Sequence, residues 1–142
     1  MTKRIEDFLR TQSSATVCCV DEDLKPYCFS CFYVYNGSEQ LLYFKSSLQT
    51  KHSQLLLRHP TVSGTILPDK LNKLLIKGLQ FEGEVLPLEN VDTKQAAQYY
   101  HQQNPMALAI SGAVWVIQLN SIKFTDAALG FAKKMHWNRY NQ

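Results

Sequence analysis

The stretch Tyr27-Cys28-Phe29-Ser30-Cys31-Phe32-Tyr33-Val34-Tyr35 decides the fold. It is rich in aromatic and β-branched residues, which suit a pleated surface. Pro26 opens it and the turn residues Asn36-Gly37-Ser38 close it, so it reads as one long strand. In a strand, alternate side chains share a face. One face carries Tyr27, Phe29, Cys31, Tyr33 and Tyr35; the other carries Cys28, Ser30, Phe32 and Val34. An antiparallel strand with one wet face would alternate apolar and polar residues, and this one does not. Both faces are therefore expected to be covered. In a small barrel the inner face is core. The outer face then needs a second subunit, a flat ligand, or both.

The flanks supply the rest of the barrel. Ala15 to Val20 is a small, β-branched strand, followed by the polar turn Asp21-Glu22-Asp23. Leu41 to Lys45 is a third strand. Ser46-Ser47-Leu48-Gln49 has the form of a capping box, with Ser46 as N-cap. The helix it opens runs to about Arg58, with Leu48, His52, Leu55 and Leu56 as its inner stripe. His59-Pro60 ends it, because a residue before proline avoids helical angles. Val62 to Leu67 is a strand, with Gly64 where another group approaches closely. Leu74 to Leu86 alternates cleanly: Leu79, Phe81, Gly83 and Val85 inward, Gly78, Gln80, Glu82 and Glu84 outward. Asp92 caps a helix to about Gln103, with Gln95 as box partner, and Asn104-Pro105 stops it. Ala113 to Leu119 and Ile122 to Asp126 are strands. The tail from Ala127 to Trp137 reads as loop or short helix. Ahead of everything, Ile5, Phe8 and Leu9 stand at helical spacing within Arg4 to Gln12. Helix, three strands, helix, two strands, helix, two strands, mostly joined by short turns, predicts a mainly β antiparallel Greek-key barrel with peripheral helices. It forms one domain over residues 1–142: helix 4–12, barrel about 15–126, tail 127–142.

Composition agrees. A chain of 142 residues, 45% hydrophobic and 19% charged, is one globular domain and not a disordered one. The net charge of +3 is too mild to make nucleic acid the default partner. No Asp or Glu follows Asp126, whereas Lys133, Lys134 and Arg139 do. There is no signal-like apolar segment and no run near the ~18 residues of a membrane span, so a cytoplasmic protein without membrane contact is expected. Cys28-Phe29-Ser30-Cys31 is formally C-x-x-C. On a strand its two thiols point to opposite faces, so the four cysteines, Cys18, Cys19, Cys28 and Cys31, are expected as inert thiols without a disulfide. No metal site is expected. His52, His59, His101 and His136 lack ligand spacing and read as core, cap or solvated. No nucleophile or paired-carboxylate motif is present, so no catalytic side chain is assigned.

The chemically informative block is Leu41 to Pro60, LLYFKSSLQTKHSQLLLRHP. A strand ends at Lys45, two hydroxyls, Ser46 and Ser47, open a helix, and Thr50 and Lys51 lie in its first turn. Hydroxyls, an ammonium and unpaired N–H groups at one helix start suit a phosphate. The alternative is that Ser46 only caps the helix and Lys51 is solvated.

The order of that turn, long apolar strand, Asn-Gly turn, "LYF" strand and helix ending in "RHP" resembles the pyridoxamine 5′-phosphate oxidase-like FMN-binding split-barrel superfamily. So does the strand Lys77-Gly78-Leu79-Gln80-Phe81-Glu82-Gly83-Glu84-Val85. The closing stretch, Ile122 to Asp126 with Leu129-Gly130-Phe131 and Lys133-Lys134-Met135-His136-Trp137, is similar to a branch of small bacterial members. The resemblance covers about residues 13 to 137. It implies a homodimer with FMN at the subunit seam and a flavin-dependent oxidoreductase acting on a small-molecule substrate. FAD, the deazaflavin F420 or haem are alternative ligands, and a non-catalytic dimer holding a flat ligand is the alternative function. Residue by residue, it implies Phe29, Ser30, Cys31 and Phe32 along the isoalloxazine, and Phe44, Lys45 and Ser46 beside the ribityl chain and phosphate. Thr50 and Lys51 would hold the phosphate, with Lys77 and Gly78 approaching from the fifth strand. Phe131 and Trp137 are expected in plain packing, or else closing over the ring. The chain also departs from the oxidase pattern. Phe29 stands near a phosphate-binding Arg, Thr50-Lys51 replaces Arg-Lys, Gly78 replaces a Gln, and the C-terminal Arg/His set is not located. Oxidation of pyridoxamine phosphate is therefore not the expected reaction, and Lys45, Lys133 or Lys134 would supply the missing cations.

Overall fold

Alternating burial builds the sheet. In the computed structural model, which describes residues 1–90, 92–129 and 133–141, the strands are β1 (Ser14–Val20), β2 (Pro26–Asn36), β3 (Leu41–Ser46), β4 (Thr61–Ile66), β5 (Lys77–Val85), β6 (Ala113–Asp126) and β7 (Lys133–Asn138). The helices are α1 (Lys3–Thr11), α2 (Lys51–Arg58) and α3 (Thr93–Gln103), with 3-10 turns at Pro105–Ala109 and Ala127–Leu129. All pairings are antiparallel, in the order β3-β2-β1-β4-β5-β6-β7, and a further β3–β6 pairing closes the first six strands into a barrel. A fourth strand returning beside the first of a three-strand meander is a Greek key. The mainly β barrel with peripheral helices is as expected.

One long strand makes the closure work. β6 pairs with β5 over Ile117 to Asp126, with β3 over Ala113 to Gln118 and with β7 over Ser121 to Asp126. Glu82 faces Ser121 but Gly83 faces Leu119, so Asn120 is the extra residue of a bulge. A bulge bends its strand and sharpens its twist, which lets β6 turn from β3 to β7. The two strands read over 113–119 and 122–126 are therefore one. Of the tail, Ala127–Leu129 form a short 3-10 helix, one of the two expected forms, whereas Lys133–Asn138 are a strand, β7. Past the bulge the β3 edge of β6 is free, and Met135 and Trp137 alternate inward to fill it.

The core is the barrel interior. Trp115, Phe44 and Phe124 are its largest fully buried side chains. α1 adds Ile5, Phe8 and Leu9, with Phe8 and Phe124 ring centroids 4.9 Å apart, and Tyr33 Oη donates to Leu9 O at 2.8 Å. Gly64 is required: a Cβ there would lie 2.5 Å from Thr16 O and against the Phe81 ring. A second cluster lies outside the barrel, where α3 lays Ala96 and Tyr100 over Val34, Tyr43 and Val116. The chain itself thus covers the far end of β2's outer face. The near end, with Cys28, Ser30 and Phe32, is exposed, Phe32 at 67%.

Three further expectations are corrected. α2 begins at Lys51, and its N-cap is Thr50, whose Oγ1 accepts from Ser53 N at 3.3 Å. Ser46 cannot cap, because its backbone is the last rung of β3, opposite Ala113. Leu48 consequently precedes the helix and is exposed, while Leu55, Leu56 and Ser53 are buried. β5 starts at Lys77; Leu74 and Ile76 lie in the preceding loop, 91% and 67% exposed. Cys18 and Cys28 form a disulfide, with Cα atoms 4.2 Å apart. The β1–β2 register sets them directly opposite each other, a relation that the C-x-x-C spacing conceals. Cys19 and Cys31 are free. Gly130 and Phe131 lie outside the described residues.

Candidate functional site

A cavity of about 210 Å³ opens where β2, β3, α2 and α3 converge beside the Pro105–Ala109 turn. Phe29, Ser30, Cys31, Phe32, Phe44, Lys45 and Ser46 all line it. Phe29 and Cys31 reach it from the inner row of β2, Ser30 and Phe32 from the outer row. His52, Tyr100, Ala107 and Ile110 complete the wall. The Cys31 thiol is pushed up to about 12 by burial, which leaves it a protonated, unreactive wall group.

Polar groups converge on the two residues that end β3. Lys45 Nζ donates to Ala107 O at 2.9 Å and lies 3.1 Å from His101 Nε2. An ammonium has no lone pair, so the His101 contact needs an unprotonated Nε2. Ser46 Oγ lies 2.7 Å from His52 Nε2 and 3.4 Å from Thr50 Oγ1, and Thr50 Oγ1 lies 2.8 Å from Ser53 Oγ. Trp115 Nε1 donates to Ser46 O at 3.3 Å, tying the end of β3 to the core. The His52 ring stacks on Phe29, with centroids 3.9 Å apart and planes at 10°. Burial pushes the pKa of His52 down, so its imidazole is neutral at neutral pH. Lys45 is the sole cation among the described lining residues, and no carboxylate lines the cavity. A flat aromatic wall with one ammonium and a row of hydroxyls fits an anionic, planar guest.

Thr50, the α2 cap, and Lys51 are not among the residues that line the cavity; Thr50 meets it through Ser46 Oγ. Lys51 follows as the first helical residue, its Nζ 4.5 Å from the centroid of the Tyr27 ring. Lys77 and Gly78 are not brought to the cavity within one chain. Lys77 Nζ lies 3.4 Å from Asp126, over the Phe8 and Phe124 rings, and Gly78 pairs with Thr125. Lys133 and Lys134 pair opposite Asp126 and Thr125 on β7. Trp137 is core, as expected of plain packing.

The sequence reading missed the wall residues His52, Tyr100, Ala107 and Ile110, and His101 behind Lys45. His52 has a local signal: with Thr50 as cap it falls in the first turn, facing the strand end. His101 has none, since it meets Lys45 across 56 residues through the packing of α3. Among the described residues no group of three or more His, Cys, Asp or Glu side chains could hold a metal ion, and no helix is long and apolar enough to cross a membrane.

No family model matches the chain. Among solved structures it is similar to a heme binding protein from Mycobacterium smegmatis, with a TM-score of 0.77 and 14% identity over 97% of this chain and 59% of that one. It is also similar to a FAD-binding protein from Mesorhizobium loti, with a TM-score of 0.71 and 14% identity over 89% of this chain and 96% of that one. These likenesses show the fold, a split barrel. In sequence, a UPF0306 protein of Photorhabdus laumondii is 38% identical over 135 residues, 95% of this chain and 94% of the relative. An identity of that size along nearly the whole of both chains places this one: it belongs to the UPF0306 family.

Proposed function

We propose that two copies of this chain hold FMN against the Phe29–Phe32 strand, and that the complex is a flavin-dependent oxidoreductase acting on a small molecule. The carrying observation is the cavity itself. It joins aromatic walls to the Lys45 ammonium and the Ser46 hydroxyl, which lies 3.4 Å from Thr50 Oγ1, with no carboxylate among its described lining residues. At about 210 Å³ it is smaller than the ~300–1,000 Å³ of pockets that enclose a drug-sized ligand. Its rim includes Phe32 and Ile110, 67% and 63% exposed. A partner copy closing over this rim would complete the enclosure. The similar FAD-binding and heme binding proteins support a flat ligand on this fold.

The donors present suit a flavin phosphate. Lys51 and Lys45 supply two positive charges for a group carrying close to two negative ones, and Ser46 and Thr50 supply hydroxyls beside the start of α2. They suit haem less well. The Nε2 atoms of both nearby imidazoles are engaged, His52 by Ser46 and His101 by Lys45. A bound flavin supplies the electron and hydride chemistry. The chain binds, orients and shields: Phe29 and Phe32 set the plane, Lys51 and Thr50 anchor the charged end, and Lys45 places a positive charge along the wall.

The test is the absorption spectrum and native mass of the purified protein, before and after incubation with FMN. The proposal expects the two visible bands of a flavin, one FMN per chain, and bleaching under a nicotinamide donor. A Soret band instead would assign haem. Bound FMN that no donor reduces would leave a binding protein without turnover, and failure to bind FMN would refute the reading.

A further inference from the structure

We propose that Cys18 and Cys28 are a reversible thiol–disulfide couple on the outer face of the barrel, exchanging with a low-molecular-weight thiol of the glutathione class. The inference is independent of the flavin reading. The two residues are direct partners in the β1–β2 register, their Cα atoms are 4.2 Å apart, and they are joined. A Cα separation this short marks a non-hydrogen-bonded antiparallel pair, the position at which facing side chains come closest.

Three observations make the pair exchangeable and not a mere staple. First, it lies on the outside: Cys28 is exposed and Cys18 half-buried, so a small thiol reaches the Cys28 sulfur. Second, the fold does not need it. β1 and β2 are already paired from Ser14↔Phe32 to Val20↔Pro26, so the loop that the bridge closes is closed by the ladder as well. Reduced and oxidised forms therefore keep the same barrel. Third, the chain carries its own contrast. Cys19 and Cys31 are on the inner rows of the same two strands; Cys19 is buried, and burial pushes both thiols above their ordinary range. Only the outer pair combines proximity with access. It also shares its row with Ser30 and Phe32 of the cavity wall, so the bridge pins the strand that carries them.

The exchange balances. A glutathione thiolate attacks the Cys28 sulfur, the protein S–S bond breaks, and its electron pair leaves on Cys18, which takes a proton. A second glutathione thiolate attacks the mixed disulfide, releasing glutathione disulfide and the Cys28 thiolate, which is protonated in turn. The protein gains two electrons and two protons and two glutathione thiols are oxidised; the reverse reaction re-forms the bridge.

The test equilibrates the full-length protein, with whatever it carries, in graded mixtures of reduced and oxidised glutathione. It then alkylates without denaturant and reads intact mass and peptides. The expected result is one two-electron transition, identical from either direction, between no label and labels on Cys18 and Cys28. Cys19 and Cys31 label only after denaturation. The transition survives the double variant Cys19→Ser/Cys31→Ser and vanishes in Cys28→Ser, where far-ultraviolet circular dichroism verifies the fold. Cys18 and Cys28 free at every ratio, a bridge intact at every ratio, or a transition persisting in Cys28→Ser would each overturn the proposal.

Discussion

At the scale of single residues, Lys51 and His52 sit next to each other and do different work. Lys51 is exposed at the first position of α2, where an ammonium gains by facing a phosphate. Replacing it with Ala is expected to weaken FMN binding by about 1.5–3 kcal/mol, the scale of a charge-assisted bond. Riboflavin, which lacks the phosphate, should bind both proteins equally. A fluorescence titration in which both ligands lose affinity alike would remove Lys51 from the phosphate site. His52 is held neutral by burial, with its pKa below the ordinary 6.5. The unfolded chain therefore takes up its proton first as pH falls, so this residue's stabilisation is present above 6.5 and is lost on the acid side. Denaturant unfolding of His52→Gln should show a flatter loss of stability below that pH than the parent. Identical slopes would mean that the imidazole titrates freely in the folded state.

At the scale of elements, the start of α2 shows how two plausible caps are distinguished. Ser46 with Gln49 has the sequence form of a capping box, but β3 runs on through Ser46 and pairs it with Ala113. Thr50 takes the role because it is the first residue beyond the turn with an extended backbone and a hydroxyl within reach of Ser53 N. Thr50→Ala is expected to cost about 1 kcal/mol of stability, the usual loss of an N-cap. Ser46→Ala should leave the helix cap unaffected. Thermal melts in which Ser46→Ala mimics the loss of a cap would contradict the assignment. β7 makes the complementary point. Its alternation, Met135 and Trp137 inward with Lys134, His136 and Asn138 outward, was present in the sequence, yet too short to distinguish from a loop until β6 offered it an edge.

At the scale of the whole molecule, the outer surface of the barrel divides into a part the chain covers and a part it leaves open. α3 buries Val34, Tyr43 and Val116, and a fully buried side chain of this kind contributes roughly 1.5–3 kcal/mol. Toward its start β2 presents Phe32, which shares the cavity rim with Ile110, both more than half exposed. A second copy covering that patch should give a particle of twice the 16.3 kDa chain mass by light scattering. Phe32→Glu should shift it toward the single-chain mass and lower FMN occupancy with it. A monomer that still holds FMN would separate the cofactor from the proposed seam.

The sequence by itself determined the order of elements through α3, the two side-chain rows of β2, the inward row of β5, and the chemistry gathered around Lys45 and Ser46. These are local matters, carried by periodicity, turn residues and neighbouring side chains. Only the tertiary structure decided which strands close the ring, that α3 and not a partner covers Val34, that His101 meets Lys45, and that Cys18 faces Cys28. Each of these depends on register or on packing between distant segments, and a slip of one residue exchanges the faces of a whole strand. Local pattern carries no information about such a slip, because it is the closed barrel, with its bulge at Asn120, that fixes every register at once.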